Sequence, residues 1–143
     1  MLFLPPECES AIRNEGQNAY PNECCGVLMG LIAESGTKKV KQTQAINNAQ
    51  TDSEQYHRFL ITPEDMLNAE QTARKLGLDV VGFYHSHPDC PAVPSDYDKD
   101  HALPFYSYVI VSVEKGEAKE LTSWELAADR TAFLQEKFSK EEL

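Results

Sequence analysis

Two histidines one residue apart, His85 and His87, open the part of the chain whose residue types are best suited to chemistry. They close an apolar run that predicts a strand, and residues two apart in a strand point to the same face. Both imidazoles are therefore expected on one side, at a separation that suits one shared metal ion. Neutral imidazole is the commonest protein ligand for metals. Pro88 is expected to end the strand.

A serine and an acidic residue follow at a spacing that suggests a helix start. Ser95 and Asp98 match a capping box, although Asp stands where Glu or Gln is usual. A helical turn beginning at Ser95 would bring Asp98 back over the histidines. Two histidines and one carboxylate leave a fourth tetrahedral position open. This is the pattern of catalytic zinc sites, in which bound water has its pKa lowered to about 7.

A hydrolytic zinc site also needs a general base, which takes the proton of water and passes it to the leaving amine. Asp89 and Asp96 lie nearby, but both are expected to be solvated loop residues. Glu23 flanks the apolar run "CCGVLMG" and could lie at the end of a strand beside the histidine-bearing strand. The residues alone leave this assignment open.

Each of these residues has a simpler interpretation when it is taken alone. An H-x-H pair is more often two ordinary polar residues than a ligand pair. Ser95 could only cap a helix, and Asp98 could be a solvated carboxylate on its surface. Their combination, in a loop bounded by Pro88 and Pro94, favours a metal site.

The other histidines and the cysteines give weaker signals. His57 begins a short predicted strand without a motif partner, so we expect a structural or exposed role. His101 shares a helical face with Asp98 and could orient that carboxylate, but an ordinary polar role is favoured. Cys90 lies among prolines and acidic residues, which disfavours it as a ligand. The adjacent pair Cys24–Cys25 is expected to be buried as small apolar side chains.

Length and composition indicate one globular domain covering residues 1–143. The chain is 41% hydrophobic and 25% charged, with a net charge of −10, which argues against tracking of a nucleic-acid backbone. No apolar run is long enough for a membrane span, and the first residues lack the basic region of a signal peptide. We therefore expect a cytoplasmic protein with reduced thiols. Composition does not indicate the oligomeric state.

The elements that must position these residues form a mixed α/β (α+β) pattern. The best helix signal is "TPEDMLNAEQTARKLGL": Thr62 caps it, Gly77 ends it, and its expected core residues are Met66, Leu67, Ala73 and Leu76. A mostly antiparallel central sheet flanked by helices is expected. Its elements are a first helix over residues 5–20, strands in "CCGVLMGLIA", "VKQTQAI", "HRFLI", "DVVGFYHS", "SYVIVSV" and "KELTSWEL", a polar loop "NNAQTDSEQ", and a tail that is either a strand or a helix.

Two separated motifs resemble those of the JAMM family, the metalloproteases of the MPN domain. His85-Ser86-His87-Pro88, followed by Ser95 and Asp98, matches H-(S/T)-H-P-x6-S-x2-D. The segment "PNECCGVLMG" matches the upstream context P-x-E-x-C-G-x-(L/M)-x-G and supplies Glu23. The likeness runs from about residue 5 to about residue 127. It implies the MPN/JAB-domain fold, with the layering of cytidine deaminases.

The resemblance also implies roles. His85, His87 and Asp98 would ligate Zn²⁺, Glu23 would act as general base and then acid, and Ser95 would help hold the oxyanion. Family members cleave amide bonds at the C-terminal tails of ubiquitin-like proteins. Only nine residues separate Asp98 from Tyr108, which leaves little room for a ubiquitin-gripping insertion. The chain therefore resembles the small bacterial members that process ubiquitin-fold sulfur carriers ending in Gly-Gly.

Four alternatives remain from the sequence. One is deubiquitinase-like processing of another ubiquitin-like modifier. A non-catalytic MPN scaffold that binds partners is a second, and the intact ligand set argues against it. A zinc nucleoside deaminase needs H-x-E and P-C-x-x-C, which are not present here. A DNA-repair-associated JAMM domain resembles H-N-H-P and carries DNA-binding segments, whereas this chain has Ser86 and strong negative charge.

Overall fold

The computed structural model describes residues 1–48 and 61–141. The expected polar loop falls mostly, and the expected strand "HRFLI" almost entirely, outside these residues. None of the helices in the described ranges has both the length and the apolar character that a bilayer crossing demands.

The described residues form an eight-stranded mixed sheet and three helices, which confirms the expected α+β class. The strand order is β7-β6-β5-β4-β2-β3-β1-β8. Four of its seven strand pairs are antiparallel, as expected for a mostly antiparallel sheet. The elements in chain order are β1 (Leu2–Phe3), α1 (Pro6–Ala19), β2 (Cys25–Ile32), β3 (Lys38–Ile46), α2 (Pro63–Lys75), β4 (Asp79–Pro88), α3 (Asp96–His101), β5 (Ser107–Glu114), β6 (Glu117–Leu126), β7 (Phe133–Glu136) and β8 (Phe138–Ser139).

Helix α1 covers one face of the sheet. Cys8 and Ile12 of the helix pack with Leu28 of β2, Tyr84 of β4 and Val111 of β5 in one buried cluster. Burial of this apolar surface, at roughly 25 cal/mol per Å², is the main force that holds the helix there. This face gives the strands that carry the site a rigid backing.

Helix α2 covers the opposite face, where Ala69 and Ala73 are fully buried against the sheet. The expected core set was wrong for two residues: Leu67 is 55% exposed and Leu76 is 49% exposed. Met66 is partly buried, as expected. The inward stripe therefore follows positions 66, 69 and 73, because residues three and seven apart share a helical face. Small alanines let the helix approach the sheet closely.

The predicted start and end of α2 are confirmed. Thr62 accepts a hydrogen bond from the Asp65 backbone N–H at 3.1 Å, and Pro63 occupies the first turn. Gly77 adopts a φ of +71°, a left-handed conformation that favours glycine after a helix. The helix is thus bounded by local sequence signals, while its inward face is selected by the sheet.

Residues near both ends of the chain form strands that could not be predicted from the sequence. The tail forms β7 and β8, which resolves the choice between strand and helix. The first residues form β1, which pairs in parallel with both β3 and β8. Two-residue strands have too few positions to show a period, so they are defined by their partners.

Candidate metal centre

Strand β4 places His85 and His87 on the face covered by α2, as their spacing predicted. Strand β2 runs antiparallel beside it, with Cys25 paired to His85. The Ser86 backbone N–H also donates to the Cys24 carbonyl at 3.2 Å, which continues the pairing beyond the end of β2. Glu23, two residues before Cys25, is thereby brought beside His87.

Three atoms of His85, His87 and Asp98 form a nearly equilateral triangle. The two Nε2 atoms lie 3.1 Å apart, and Asp98 Oδ2 lies 3.2 Å from each of them. All three residues are buried. Tetrahedral zinc with bonds of about 2.0–2.1 Å holds its ligand atoms about 3.3 Å apart. The donor set and its spacing therefore fit one zinc ion.

The capping box at α3 explains how Asp98 reaches this position. The Asp98 backbone N–H donates to Ser95 Oγ at 3.0 Å, and the Ser95 backbone N–H donates to Asp98 Oδ2 at 2.9 Å. Both halves of the box predicted from the sequence are present. The box fixes the rotamer of Asp98 and turns its carboxylate towards the histidines.

The orientation of His87 is fixed from behind by a backbone carbonyl. Its Nδ1 lies 2.9 Å from the Pro91 oxygen, and since a carbonyl only accepts, Nδ1 must be the donor. In the neutral ring, Nε2 therefore carries the lone pair and faces the triangle. This tautomer can ligate a metal through Nε2.

The histidines differ in the direction of their pKa shifts. Burial lowers the pKa of His85, despite the neighbouring Asp98 carboxylate. Burial also disfavours the charged form of His87, but its hydrogen bonds to Asp98 and to the Pro91 carbonyl outweigh this and raise its pKa. A proton therefore competes with a metal ion more strongly at His87 than at His85.

The two carboxyl groups have opposite protonation behaviour. Burial raises the pKa of Glu23 to about 8, a rise opposed by His87 and supported by the Asp98 charge. Burial would also raise the pKa of Asp98, but the charge of His85 and the surrounding hydrogen bonds hold it well below its usual range. Carboxyl groups whose environments separate their pKa values are suited to different roles.

Either carboxylate could complete a three-residue ligand set. Ligating atoms of Glu23, His85 and His87 all lie within 4.8 Å of one another. Asp98 Oδ2 lies closer to both histidines, at 3.2 Å, and carries the ionised carboxylate. Asp98 is therefore the carboxylate that the geometry groups with the two histidines. Glu23 remains beside it as a buried group able to exchange protons near neutral pH.

Other residues near the motifs lie outside this cluster. Asp96 is exposed, as expected, but it is the first residue of α3 and not a loop residue. Asp89 is also exposed, but it is anchored, because Tyr20 Oη donates to it at 2.6 Å and the Lys115 backbone N–H donates to it at 2.7 Å. Cys90 is exposed. His57 lies outside the described residues.

His101 takes the ordinary helix-surface role that the sequence favoured. Its ring stacks on Tyr97 with centroids 4.1 Å apart, and its Nδ1 lies 2.9 Å from the Tyr97 carbonyl oxygen. The four cysteines lie in different environments. All four are free thiols; Cys25 is buried, whereas Cys24 is only partly so.

Three supporting contacts were missed from the sequence. Ser86 Oγ accepts from the Cys24 backbone N–H at 2.8 Å, and Asn48 Nδ2 donates to the Glu23 carbonyl at 3.2 Å. The third is the Pro91 carbonyl behind His87. Contacts to backbone atoms produce no recognisable spacing of residue types in the sequence. The position of Ser86 between the two histidines was the one available signal that it had a role.

Comparison with known proteins identifies relatives of this chain. The family profile described as "Prokaryotic homologs of the JAB domain" matches residues 5–127. A desampylase of Haloferax volcanii is 36% identical over 93 residues, covering 64% of this chain and 63% of the relative. A desampylase of Pyrococcus furiosus is 34% identical over 97 residues, covering 68% and 64%. The chain thus spans slightly less than two thirds of each relative's length.

A solved structure extends the likeness over the whole chain. The solution structure of a protein from Desulfitobacterium hafniense superimposes with a TM-score of 0.85 at 30% identity. The match covers 100% of this chain and 95% of that protein. The likeness in fold therefore extends over the terminal strands as well as the segments that carry the two motifs.

Proposed function

This chain belongs to the family of prokaryotic homologs of the JAB domain, and from that premise we propose a zinc-dependent isopeptidase or peptidase. Its substrate is the C-terminal tail of a ubiquitin-like protein, most specifically a ubiquitin-fold sulfur carrier that ends in Gly-Gly. The name of the two desampylases describes a deconjugating activity, which supports the substrate class. The six-residue α3 and the short connection to β5 suit a small member without a ubiquitin-gripping insertion.

The observation that carries the proposal is the buried triangle of His85, His87 and Asp98 with Glu23 beside it. The three residues would hold Zn²⁺, which when bound supplies Lewis acidity and lowers the pKa of water to about 7. In the metal-free protein burial raises the pKa of Glu23 to about 8, so this carboxyl group can exchange protons near neutral pH. An acid–base group beside an intact ligand set favours an enzyme over a non-catalytic scaffold.

Glu23 moves the proton in the proposed hydrolysis. Its carboxylate takes a proton from water as the water oxygen bonds to the scissile carbonyl carbon. The C–N bond then breaks, and Glu23 delivers the proton to the departing amine, leaving a Gly-Gly carboxylate on the carrier. Ser95 donates its hydroxyl hydrogen to the developing oxyanion, while its oxygen continues to cap α3.

Cleavage of a ubiquitin-fold carrier with a C-terminal extension tests the proposal. The purified protein is treated with a chelator and incubated with the carrier, and the incubation is repeated after one equivalent of zinc is added back. The masses of the products are measured by mass spectrometry. We expect cleavage after Gly-Gly only with zinc. Asp96→Asn, an exposed change on the same helix, serves as the control that keeps activity. Cleavage that persists in chelator, or none with zinc on any ubiquitin-like tail, would overturn the assignment.

The proposed setting of the enzyme and its carrier is the cytoplasm. The four unpaired cysteines are compatible with that reducing compartment. Deubiquitinase-like processing of another ubiquitin-like modifier uses the same residues and differs only in the protein that precedes the scissile bond.

A further inference from the structure

An apolar cavity of about 170 Å³ opens beside the candidate metal centre. His85 and Asp98 form part of its wall, so the cavity and the ligand triangle share two residues. The rest of its lining includes Met66 of α2, Phe83 of β4 and Ile110 of β5. The cavity therefore extends from the site along the face of the sheet that α2 covers.

The lining is mainly apolar and aromatic. The rings of Phe83 and Tyr108 stack with centroids 5.6 Å apart. Tyr108 Oη accepts from the Leu103 backbone N–H at 2.8 Å, which satisfies the polar end of that ring. An apolar cavity of roughly 150 Å³ can hold benzene. This one has room for a single aromatic or branched aliphatic side chain.

We propose that this cavity is a specificity pocket for the residue that supplies the amine of the scissile bond, and that this residue is apolar or aromatic. The proposal rests on the function proposed above. A Gly-Gly tail has no side chain to place on the acyl side. A residue spans only about 3.5 Å, so a pocket that shares His85 and Asp98 with the metal centre takes a group immediately beside the scissile bond. The residue after Gly-Gly is the one that remains.

The expected discrimination follows from burial of apolar surface. In hydrophobic specificity pockets, a difference of one methylene changes kcat/KM by roughly 10–200-fold. A phenylalanine after Gly-Gly should therefore be released at least about tenfold faster, as kcat/KM, than a glycine. An aspartate should be the poorest substrate, because its charge would be desolvated in a mainly apolar pocket.

The test uses four carriers that differ only after Gly-Gly, ending in Phe, Leu, Gly or Asp. The zinc-loaded protein is assayed on each, and kcat/KM is measured from product mass. The expected order is Phe and Leu above Gly, and Gly above Asp. Equal values across the series would overturn the pocket while leaving the proposed hydrolase intact. Failure to cleave any of the four carriers would reject the proposed function, and the pocket with it.

A pair of matched variants links the preference to the cavity. Leu103 lines the cavity and is 50% exposed, whereas Leu76 is 49% exposed and lies at the end of α2, outside the lining. Leu103→Trp should fill the pocket and lower the ratio of Phe to Gly kcat/KM towards one. Leu76→Trp should keep the wild-type ratio. Melting temperatures and zinc content show whether both variants are folded, and an unchanged ratio in a folded Leu103→Trp contradicts the proposal.

Discussion

The hydroxyl of Ser86 lies 2.8 Å from the backbone nitrogen of Cys24 and accepts its hydrogen bond. Ser86 separates the two histidines on β4, and Cys24 follows Glu23, so this bond joins the ligand strand to the segment that carries the proposed base. The bond lies on the face of β4 opposite the side chains of His85 and His87. The separation of Glu23 from the histidines therefore depends on a residue that touches neither the proposed metal nor substrate.

Ser86→Ala should lower kcat by roughly tenfold, the lower end of the loss seen when groups supporting metal ligands are removed. The reason is a looser position of Glu23, so KM should change little. Stability should fall by about 1 kcal/mol from the lost hydrogen bond. Steady-state kinetics and thermal unfolding measure the two effects.

Ser123→Ala is the control for this variant. Ser123 is also a buried serine, but its hydroxyl donates to Glu136 at 2.9 Å, away from the ligand strand. It should lose stability without losing kcat. If both variants lose kcat equally, the link between Ser86 and Glu23 is refuted.

Gly26→Ala should destabilise the protein by about 1–3 kcal/mol through overpacking. A Cβ at position 26 would lie 2.2 Å from the Tyr84 phenol, which crosses directly over this glycine. Both residues belong to the strand pair that sets Glu23 beside His87. Denaturant unfolding measures the loss, and an unchanged unfolding midpoint would show that the phenol can move aside at no cost.

Asp98→Asn should weaken zinc binding by at least tenfold while α3 stays capped. An asparagine oxygen can still accept from the Ser95 N–H, but it lacks the charge that the low pKa of Asp98 maintains. Competition with a coloured chelator measures the affinity. Asp96→Asn, with the same chemistry on an exposed residue, should bind zinc as the wild type does. Equal affinities for both variants would exclude Asp98 from the ligand set.

The stability of the wild type relative to the Glu15→Gln variant should fall as pH rises. Burial raises the pKa of Glu15, although the hydrogen bond from Tyr84 opposes the rise. Folded Glu15 thus keeps its proton above pH 4.5, the value at which the unfolded chain loses it. The stability that this proton provides is present at low pH and lost as pH passes the raised pKa.

Thermal unfolding of both proteins from pH 4 to pH 8 measures this difference. The melting temperature of the wild type minus that of Glu15→Gln should fall across the window that begins near pH 4.5. A difference that stays constant or rises with pH would contradict the direction of the pKa shift.

Local spacing was enough to predict part of the cluster that His85, His87 and Asp98 form. The alternation of a strand placed His85 and His87 on one face, and the capping box turned Asp98 towards them. Both features depend only on residues two or three positions apart in the sequence. Thr62 and Gly77 likewise fixed the ends of α2. The expectation that Glu23 could lie beside the histidine strand agrees with the pairing of Cys25 and His85.

Features that depend on a distant partner were not predictable in the same way. Leu67 and Leu76 are apolar, yet they face outward, because the sheet accepts only the stripe through Ala69 and Ala73. The support of His87 by the Pro91 carbonyl depends on loop geometry. The cavity lies where α2, α3 and the sheet meet, so the periodicity of a single element could not predict it.

Cleavage by Glu23→Gln at matched zinc content tests the central claim most directly. The variant keeps the shape of the side chain but cannot take a proton. It should bind zinc as fully as the wild type and cleave the Gly-Gly extension roughly 10²–10⁴-fold more slowly, the usual contribution of a general base. Wild-type turnover per bound zinc in Glu23→Gln would contradict the account, and loss of the zinc itself would place Glu23 among the ligands instead.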